Sequence, residues 1–358
     1  MEIAALVSGG VDSSVVVHML KEAGYDPTIF YIRIGMEDKD GYIDCPAEED
    51  IEITSYIAQK YGCRFEQVSL HDEYWEKVVS YTIDSVKRGL TPNPDMMCNK
   101  FIKFGCFEEK WGKDFDKIAT GHYATTTEID GKVWLSTAKD PVKDQTDFLG
   151  QITRLQIQKL MFPIGHLMKS EVRAIAEAQK LPSAKRKDSQ GICFLGKINY
   201  NDFIERYLGR RTGKIVELET GKVIGKHNGY WFHTIGQRKG LDIGGQAGDA
   251  GRWFVIEKDM KNNILYVAHG EEDRLYSKGL LTGKINFIPS VPDKKEFECN
   301  AKFRYRQDEQ KVFVKLKDDG STEVEFAERQ RAITEGQYCV FYDDEKCLGG
   351  GVIEKAIF

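Results

Sequence analysis

The sequence lacks most of the features that would assign it to a class at once. Its 358 residues include no apolar run long enough to span a membrane, no leader-like segment, no internal repeat and no low-complexity stretch. The eight cysteines are scattered and contain no Cys-x-x-Cys pair, which argues against a zinc site or a disulfide framework. We therefore expect a cytoplasmic protein with reduced thiols, and we identify no metal-ligating set of residues.

Excess positive charge is also missing. The formal net charge is −5 at pH 7, so a broad, non-specific coat for nucleic acid is excluded, whereas a local basic groove is not. The length exceeds that of one typical hydrophobic core and predicts two or three domains.

Strand and helix patterns alternate over the first 140 residues, which predicts an α/β fold with a doubly wound parallel sheet and ligands at the carboxyl ends of its strands. Gly-rich short segments after Tyr207 predict a small β-rich domain, and alternating apolar residues from near Asp273 predict an antiparallel barrel. We place the domains at 1–206, 207–273 and 274–358. The predicted strands are Ile3–Val7, Pro27–Ile34, Arg64–Ser69 and Lys117–Thr120, and the predicted helices are Ser13–Ala23, Pro46–Tyr61, Tyr74–Val86, Met96–Trp111 and Lys169–Lys180.

The most informative segment is Ser8-Gly9-Gly10-Val11-Asp12-Ser13-Ser14, which follows the first apolar run. Glycines let the backbone approach a ligand closely, and the free N–H groups at a helix start favour an anion. No Gly-Lys-Ser/Thr triplet follows, so this is not the lysine-containing phosphate loop. The segment resembles the pyrophosphate loop of ATP enzymes that adenylate an oxygen. An ordinary strand-turn-helix corner would not need two glycines, an aspartate and three serines.

A second informative segment is Thr91-Pro92-Asn93-Pro94-Asp95-Met96-Met97-Cys98-Asn99-Lys100. The two prolines hold an extended approach, and Asp95 is well placed as a helix N-cap. Cys98 would then lie in the first helical turn, where the dipole and the nearby Lys100 and Lys103 favour the thiolate. Taken alone, the pattern fits a capped helix with a half-buried cysteine equally well.

The third segment, Lys185 to Phe194, combines a basic triplet with a polar turn and predicts an exposed loop. Its Cys193 is either a small buried hydrophobe or a partner thiol for Cys98.

In the barrel, Arg304-Tyr305-Arg306-Gln307 would offer cations and a ring at alternate positions of a strand, suited to phosphate and stacking contacts. A solvated strand face explains that pattern slightly better. His233–Gly240 is either a basic turn near RNA or a hinge between domains.

Taken in order, SGGVDSS, PNPDMMCNKFIKFG, ATGHYA, KDQTDFL, DSQGICF, HTIGQRKGL and FRYRQ resemble the tRNA-specific 2-thiouridylase family over essentially the whole chain. The glycine loop is shared by several ATP enzymes, whereas PNPDxxCN with a later cysteine in SQGICF is far more specific. The resemblance implies a pyrophosphate-loop domain of the adenine-nucleotide alpha-hydrolase type, a small central domain and a C-terminal β-barrel. It also implies that sulfur replaces O2 of the wobble uridine in tRNAs for lysine, glutamate and glutamine. ATP, Mg²⁺ and a persulfide donor protein would take part.

The resemblance also implies a role for individual residues. Cys98 would be the nucleophile and Cys193 would carry the persulfide. Ile32 stands where relatives can carry methionine, which leaves the identity of that contact open. The nucleotide would contact Leu6, Val7, Ser8, Gly9, Gly10, Val11, Asp12 and Ser13, with Ile32 and Gly121 framing the adenine or ribose; the target base would face Asn93, Pro94 and Asp95; and tRNA would contact His122, Lys143, Asp144, Gln145, Arg304, Tyr305 and Gln337.

The chemistry supports this function independently. The O2 of uracil is a poor leaving group, and adenylation converts it into AMP, while the loop and Mg²⁺ stabilise the departing pyrophosphate. A persulfide on Cys193 could attack directly, or Cys98 could attack it, release hydrosulfide and leave a Cys98–Cys193 disulfide. Asp95 is the candidate for proton handling. Two alternatives remain: an amide-forming synthetase, which gives the two cysteines no task, and a non-enzymatic RNA-binding scaffold, which the intact SGGVDSS argues against.

Overall fold

The computed structural model describes residues 1–34, 47–188, 199–243, 252–270 and 273–358. Cys193, with the rest of SQGICF, and Pro46 at the predicted start of the second helix lie outside these residues. Within the described ranges, no helix combines the length and apolarity that a membrane span requires.

The N-terminal domain is built on a five-stranded parallel sheet with the order β3-β2-β1-β4-β7. Its strands and the hairpin β5–β6 are β1 Ile3–Leu6, β2 Thr28–Arg33, β3 Phe65–Ser69, β4 Lys117–Ala119, β5 Thr125–Ile129, β6 Lys132–Ser136 and β7 Leu160–Met161. The helices are α1 Val11–Glu22, α2 Ala47–Tyr61, α3 His71–Tyr74, α4 Ser80–Lys87, α5 Pro94–Met97, α6 Phe107–Lys110, α7 Arg154–Lys159 and α8 Lys169–Ala178.

The central strand of the sheet, β1, is apolar on both faces. Ile3, Ala4 and Ala5 of β1 are all buried, as expected for a parallel strand covered by helices on both sides. Strand β1 pairs with β2 on one side and with β4 on the other, so the strand order reverses beside β1. Ligands bind at such a reversal, which places the glycine loop after β1 at the expected position. The predicted doubly wound α/β domain is confirmed.

Helix α9 Tyr200–Leu208 leads into a small central domain with a four-stranded sheet in the order β10-β11-β8-β9. Ile215, Val255, Leu265 and Val267 from this sheet form its core together with Tyr230. The strands are β8 Gly213–Glu217, β9 Val223–His227, β10 Trp253–Asp259 and β11 Ile264–His269.

The C-terminal domain is a closed antiparallel barrel. Six strands follow one another in the order β12-β16-β15-β14-β17-β18, and β18 pairs again with β12, so the ring has no free edge. Leu280, Phe303, Val314 and Phe341 lie in its core. The strands are β12 Tyr276–Thr282, β13 Asn286–Phe287, β14 Glu296–Lys302, β15 Gln310–Leu316, β16 Thr322–Arg331, β17 Tyr338–Asp343 and β18 Lys346–Ile357. The predicted barrel is confirmed.

The hairpin β5–β6 turns at Asp130 and Gly131, both with positive φ, as the sequence predicts. It does not stay within its own domain: Ser136 and Leu135 of β6 pair with Lys346 and Cys347 of β18. The N-terminal domain and the barrel therefore share a sheet. The boundaries at 206 and 273 stay predictions.

Three predicted helices differ from the observed ones. The predicted helix Tyr74–Val86 is divided, because residues Trp75–Val79 form a π-helix between α3 and α4. Helix α1 begins at Val11, two residues before its predicted start. The predicted helix Met96–Trp111 begins at Pro94. Its residues Cys98–Cys106 form a π-helix, which is wider than an α-helix. The Gln156 side chain supports this widening, because its Nε2 donates to the carbonyl oxygens of Lys100 and Phe104 at 3.1 and 2.6 Å. Such widened helices are frequent at functional sites.

The contact between the N-terminal domain and the barrel encloses two acids. Asp144 and Asp147 are both buried. Thr146 lies between them in the chain, and its Oγ1 is 3.1 Å from Tyr342 Oη of β17. Burial, with the neighbouring charge of Asp144, raises the pKa of Asp147 to about 7. Among the described residues, Asp147 Oδ1 has no hydrogen-bond partner.

Asp147 should therefore make stability depend on pH. The pKa of Asp147 in the folded state, about 7, lies above its ordinary value of 3.8, so the folded state binds this proton more tightly than the unfolded state does. The stabilisation that results is complete below pH 4 and is lost as pH rises through 7. Asp147→Asn should raise Tm by roughly 2–4 °C at pH 8 and less at pH 6, measured by calorimetry. Asp130→Asn, an exposed carboxyl on the hairpin turn, is the control. A lower Tm at pH 8 for Asp147→Asn would contradict this assignment.

Candidate nucleotide and thiol site

The glycine loop after β1 is held by its own hydroxyl groups. The Ser8 N–H donates to Ser13 Oγ at 3.1 Å, and Ser14 Oγ donates to the carbonyl of Gly10 at 2.8 Å. Gly9 has a φ of 72°, which glycine adopts without strain. Gly10, the residue before α1, is extended, and no side chain caps the helix. The first N–H groups of α1 thus face the carboxyl end of the sheet, where an anion can accept from them.

The other predicted nucleotide residues surround this loop. A Cβ on Gly121 would lie 2.9 Å from the backbone N of Ser13, so β4 approaches α1 as closely as a glycine allows. Ile32 lies near the carboxyl end of β2 and is half-buried against the core that also contacts Leu6. Strands β1, β2 and β4 therefore bring the predicted nucleotide-binding residues to one edge of the sheet.

A charged cluster, which the sequence did not reveal, lies beside the loop. Lys169 is 9% exposed, and its Nζ lies 2.6 Å from Asp12 Oδ1 and 3.0 Å from Asp188 Oδ1. Lys143 Nζ lies 2.6 Å from Asp188 Oδ2, and Arg173 also pairs with Asp188. Burial would raise the pKa of Asp188, but the hydrogen bonds from Lys143 and Lys169 outweigh it, so this pKa lies well below its ordinary value.

The phenol of Tyr123 completes this cluster. Its Oη donates to Asp12 Oδ1 at 2.9 Å, and burial together with Asp12 raises the pKa of Tyr123, so the phenol stays protonated and donates. Lys169 and Arg173 are four residues apart and share one face of α8. That spacing was the available signal, but the sequence identified the segment only as a helix.

The expectation of an exposed loop from Lys185 to Phe194 is wrong for Arg186. Its guanidinium is half-buried, donates to the carbonyl of Gly9 at 3.1 Å and pairs with Asp50 Oδ1 at 2.5 Å. The basic triplet is therefore not wholly solvated, because one of its cations supports the glycine turn.

The proposed N-cap at Asp95 is wrong. Asn93 caps the helix instead: its Oδ1 accepts from the Met96 N–H at 3.1 Å, which starts α5 at Pro94. Asp95 lies within the first turn, and Cys98 follows α5 as the first residue of the widened turn. The helix dipole acts mainly on the first turn, so the first-turn argument for a Cys98 thiolate does not hold.

The Cys98 side chain is only 1% exposed, and it packs in the core of the N-terminal domain. On the same helix, Lys103 Nζ donates to Asn99 Oδ1 at 3.0 Å, and Lys100 Nζ donates to Gln151 Oε1 at 3.2 Å. Burial lowers the pKa of Lys100. None of the six cysteines in the described residues forms a disulfide with another.

His122 follows β4 and lies beside this helix. Its ring is buried near Phe104 and Phe162, and its Nδ1 lies 2.8 Å from Thr120 Oγ1. Burial, together with the charge of Lys103, lowers the pKa of His122 well below 6.5. The imidazole is therefore neutral at physiological pH, and its expected contact with tRNA stays a prediction.

The remaining residues predicted to contact tRNA also make contacts within the protein. Gln145 Oε1 accepts from the Tyr123 N–H at 3.0 Å, and Asp144 accepts from Thr146 Oγ1 at 2.6 Å. Gln337 Nε2 donates to the carbonyls of Thr91 and Pro92, in the segment that leads to α5. Their expected tRNA contacts stay predictions.

The expected placement of Arg304 to Gln307 on a strand is wrong. Strand β14 ends at Lys302, and the four residues form a turn that Gln307 stabilises, since its Oε1 accepts from the Phe303 N–H at 3.1 Å. Arg304 is exposed and donates to the carbonyls of Arg331 and Ala332. The Tyr305 ring lies 4.8 Å from Phe148 of the N-terminal domain. These residues therefore lie at the junction of two domains, not along a solvated strand.

Comparisons with known proteins agree with this architecture. The chain matches three protein-family models: a tRNA methyl transferase HUP domain over residues 1–197, a tRNA methyl transferase PRC-barrel domain over 201–269, and an aminomethyltransferase beta-barrel domain over 277–353. It is 75% identical over 358 residues to the tRNA-specific 2-thiouridylase MnmA of Parabacteroides distasonis, with 99% of each chain covered. The chain belongs to the tRNA-specific 2-thiouridylase family.

More distant members of the family match almost as completely. The MnmA protein of Porphyromonas gingivalis strain W83 is 63% identical, with 99% of each chain covered, and that of Halalkalibacterium halodurans is 47% identical, with 98% of this chain and 94% of the relative covered. Among solved structures, the U34-tRNA thiolase NcsA from Methanococcus maripaludis matches with a TM-score of 0.34 at 16% identity, covering 57% of this chain and 67% of the other. A 4-thiouridine synthetase bound to RNA and ATP matches with a TM-score of 0.33 at 12% identity, covering 57% and 50%.

The close approach at Gly121 yields a test of the nucleotide site. In Gly121→Ala the added methyl would press on the backbone of Ser13 and displace the start of α1. We expect the Kd for ATP to rise at least tenfold, about 1.4 kcal/mol, measured by titration calorimetry. Gly225→Ala is the control, because its Cβ would meet the nearest atom, on Ile215, at an ordinary 3.4 Å. Unchanged ATP affinity in a folded Gly121→Ala protein would remove this glycine from the site.

Proposed function

We propose that this protein is an ATP-dependent sulfurtransferase that replaces O2 of the wobble uridine of tRNA with sulfur. The tRNAs would be those for lysine, glutamate and glutamine. The observation that carries the proposal is a hydroxyl-braced glycine loop in the same domain as a helix that begins with Asn93 and Asp95 and leads to the buried Cys98, in a chain of this family. The glycine loop serves nucleotide activation, and the helix serves the base that is activated.

The first step is adenylation of the uracil oxygen with release of pyrophosphate. The loop N–H groups would hold the phosphates at the start of α1. Lys169, which pairs with Asp12, and Arg173, which pairs with Asp188, are cations beside the loop that would take up the charge of the departing pyrophosphate in exchange for these carboxylates. Uridine O2 then leaves as part of AMP.

A Mg²⁺ ion would arrive with the nucleotide. Among the described residues, no group of three His, Cys, Asp or Glu side chains is placed to hold a metal. Mg²⁺ is usually held by substrate phosphates and only one or two carboxylates. Asp12, at the start of α1, is the carboxylate beside the loop that would join the phosphates as a ligand, and the bound ion would supply charge neutralisation on the phosphates.

The second step brings sulfur to C2 of the base. In one route the terminal sulfur of a Cys193 persulfide attacks C2 and AMP leaves, and Cys98 then attacks Cys193 Sγ, which breaks the S–S bond and frees the thiolated base. In the other route Cys98 attacks Cys193 Sγ first and releases hydrosulfide, which attacks C2 and displaces AMP. Both routes leave a Cys98–Cys193 disulfide that must later be reduced. Asp95 would handle the proton in either route. Because Cys98 is buried, its chemistry requires a rearrangement of the helix when tRNA binds.

Replacing each thiol tests the sulfur step. Cys98→Ser and Cys193→Ser should each lower thiolation at least 100-fold, because serine neither carries a persulfide nor attacks one at a useful rate. The measurement is mass spectrometry of nucleosides from tRNA incubated with ATP and a persulfide donor, with ATP binding followed in parallel.

Cys63→Ser is the matched control, a half-buried cysteine between α2 and β3, and it should thiolate normally. Retained thiolation in either of the first two variants would overturn the two-thiol mechanism. Ammonia-dependent formation of AMP without sulfur incorporation would favour the amide synthetase.

Salt dependence tests the tRNA side. Because the net charge is negative, binding must rely on a limited set of lysines and arginines that displace counterions from phosphates. The Kd for tRNA should rise at least tenfold between 50 and 200 mM salt, measured by fluorescence anisotropy. A flat response would contradict phosphate contacts from these side chains.

A further inference from the structure

The segment from Lys87 to Pro92, which we call the approach segment, joins the end of α4 to the Asn93 cap. It belongs to the N-terminal domain, yet several of its backbone groups bond to the other two domains. These hydrogen bonds are partly shielded from water, and their partners fix where the segment lies.

The central domain holds the first half of the approach segment. Tyr230 Oη donates to the carbonyl of Lys87 at 2.6 Å. Lys258 Nζ donates to the carbonyl of Gly89 and, at 3.2 Å, to that of His233 in its own domain. Burial lowers the pKa of Lys258 to about 8. The half-buried Lys258 therefore joins the two domains, because its ammonium group donates to one carbonyl in each.

The barrel holds the second half. The Thr91 N–H donates to the carbonyl of Glu335 at 2.9 Å, and Gln337 Nε2 donates to the carbonyls of Thr91 and Pro92 at 3.1 and 3.0 Å. Gly336 has a φ of 89°, and a Cβ there would lie 2.9 Å from the Thr91 oxygen. The turn before β17 therefore packs directly on the approach segment.

Two prolines make the end of the approach segment rigid. Pro92 and Pro94 have fixed φ angles and no N–H, so the chain between the held carbonyls and α5 has little freedom to adjust. A shift of Thr91 and Pro92 would therefore be passed on to Asn93 and Asp95.

We propose that Gln337 and Lys258 are positioning residues. They hold the approach segment in the position from which Asn93, Asp95 and Cys98 can act on the target base. This inference rests on the proposed function of those three residues. It gives Gln337 a task that differs from the tRNA contact implied by the family resemblance, since its amide nitrogen is already spent on two carbonyls of its own chain. Misplacement by an ångström of a group that orients the substrate costs rate more than affinity.

The test compares Gln337→Met and Lys258→Met with wild type. Each should lower kcat for thiolation at least tenfold, and Lys258→Met, at a residue with no predicted tRNA contact, should leave the Kd for tRNA within twofold. The double variant should lose less than the product of the two single losses, because both act through one segment. Gln337→Lys keeps a donor for the two carbonyls and should retain kcat within threefold. Gln310→Met and Lys278→Met, both within the barrel, are the matched controls.

Amide hydrogen exchange of the peptide covering residues 88–97 gives a readout that does not need activity. It should become at least tenfold faster in Gln337→Met and Lys258→Met and stay unchanged in the controls. Unchanged exchange would overturn the positioning role, and so would a tenfold rise in the Kd for tRNA with normal kcat. If wild type fails to thiolate tRNA, the proposed function fails, while the exchange result still decides whether these residues hold the segment.

Discussion

The geometry of the nucleotide site depends on one buried ammonium group. Lys169 lies between Asp12 at the start of α1 and Asp188 beyond α8, so it joins two segments that are distant in the chain. A lone buried cation would be costly, and a lone buried carboxylate equally so, so each needs the other. Removing either partner should therefore disturb the glycine loop more than the loss of an exposed ion pair would. Under the proposed function, the phosphates of the nucleotide would compete with Asp12 and Asp188 for these cations.

Much of the fold could be predicted because its patterns are local. Buried β1 followed by two glycines, and a hairpin turning at Asp130-Gly131, each follow from neighbouring residues alone. The helix cap could not be assigned so easily, since Asn93 and Asp95 are both good caps. Pro94 decides between them, because proline is favoured at the first helical position, directly after Asn93. That signal was present in the sequence.

Other parts of the site depend on contacts that no local pattern contains. Asp188, Lys169 and Asp12 come together through tertiary structure, and only the spacing of Lys169 and Arg173 hinted at a shared face. The widening between Cys98 and Cys106 relies on Gln156, about fifty residues further along the chain. Arg304 and Tyr305 were expected on a strand because alternation is typical of strands, but the side chain of Gln307 closes a turn there instead. Long-range partners decided the first two cases, whereas in the third a side-chain contact over only four residues closed the turn.

All three domains contribute contacts that hold the candidate site in place. Strand β6 extends the sheet of the barrel, Tyr305 packs on Phe148, and both other domains bond to the approach segment. An isolated N-terminal domain would expose the Thr91 and Pro92 carbonyls and the unpaired edge of β6. Such a fragment would keep the glycine loop, and with it a nucleotide site, but would lose the support that aligns Cys98. Under the proposed function, nucleotide binding would need one domain and sulfur transfer would need three, so the two steps would be separable in structure.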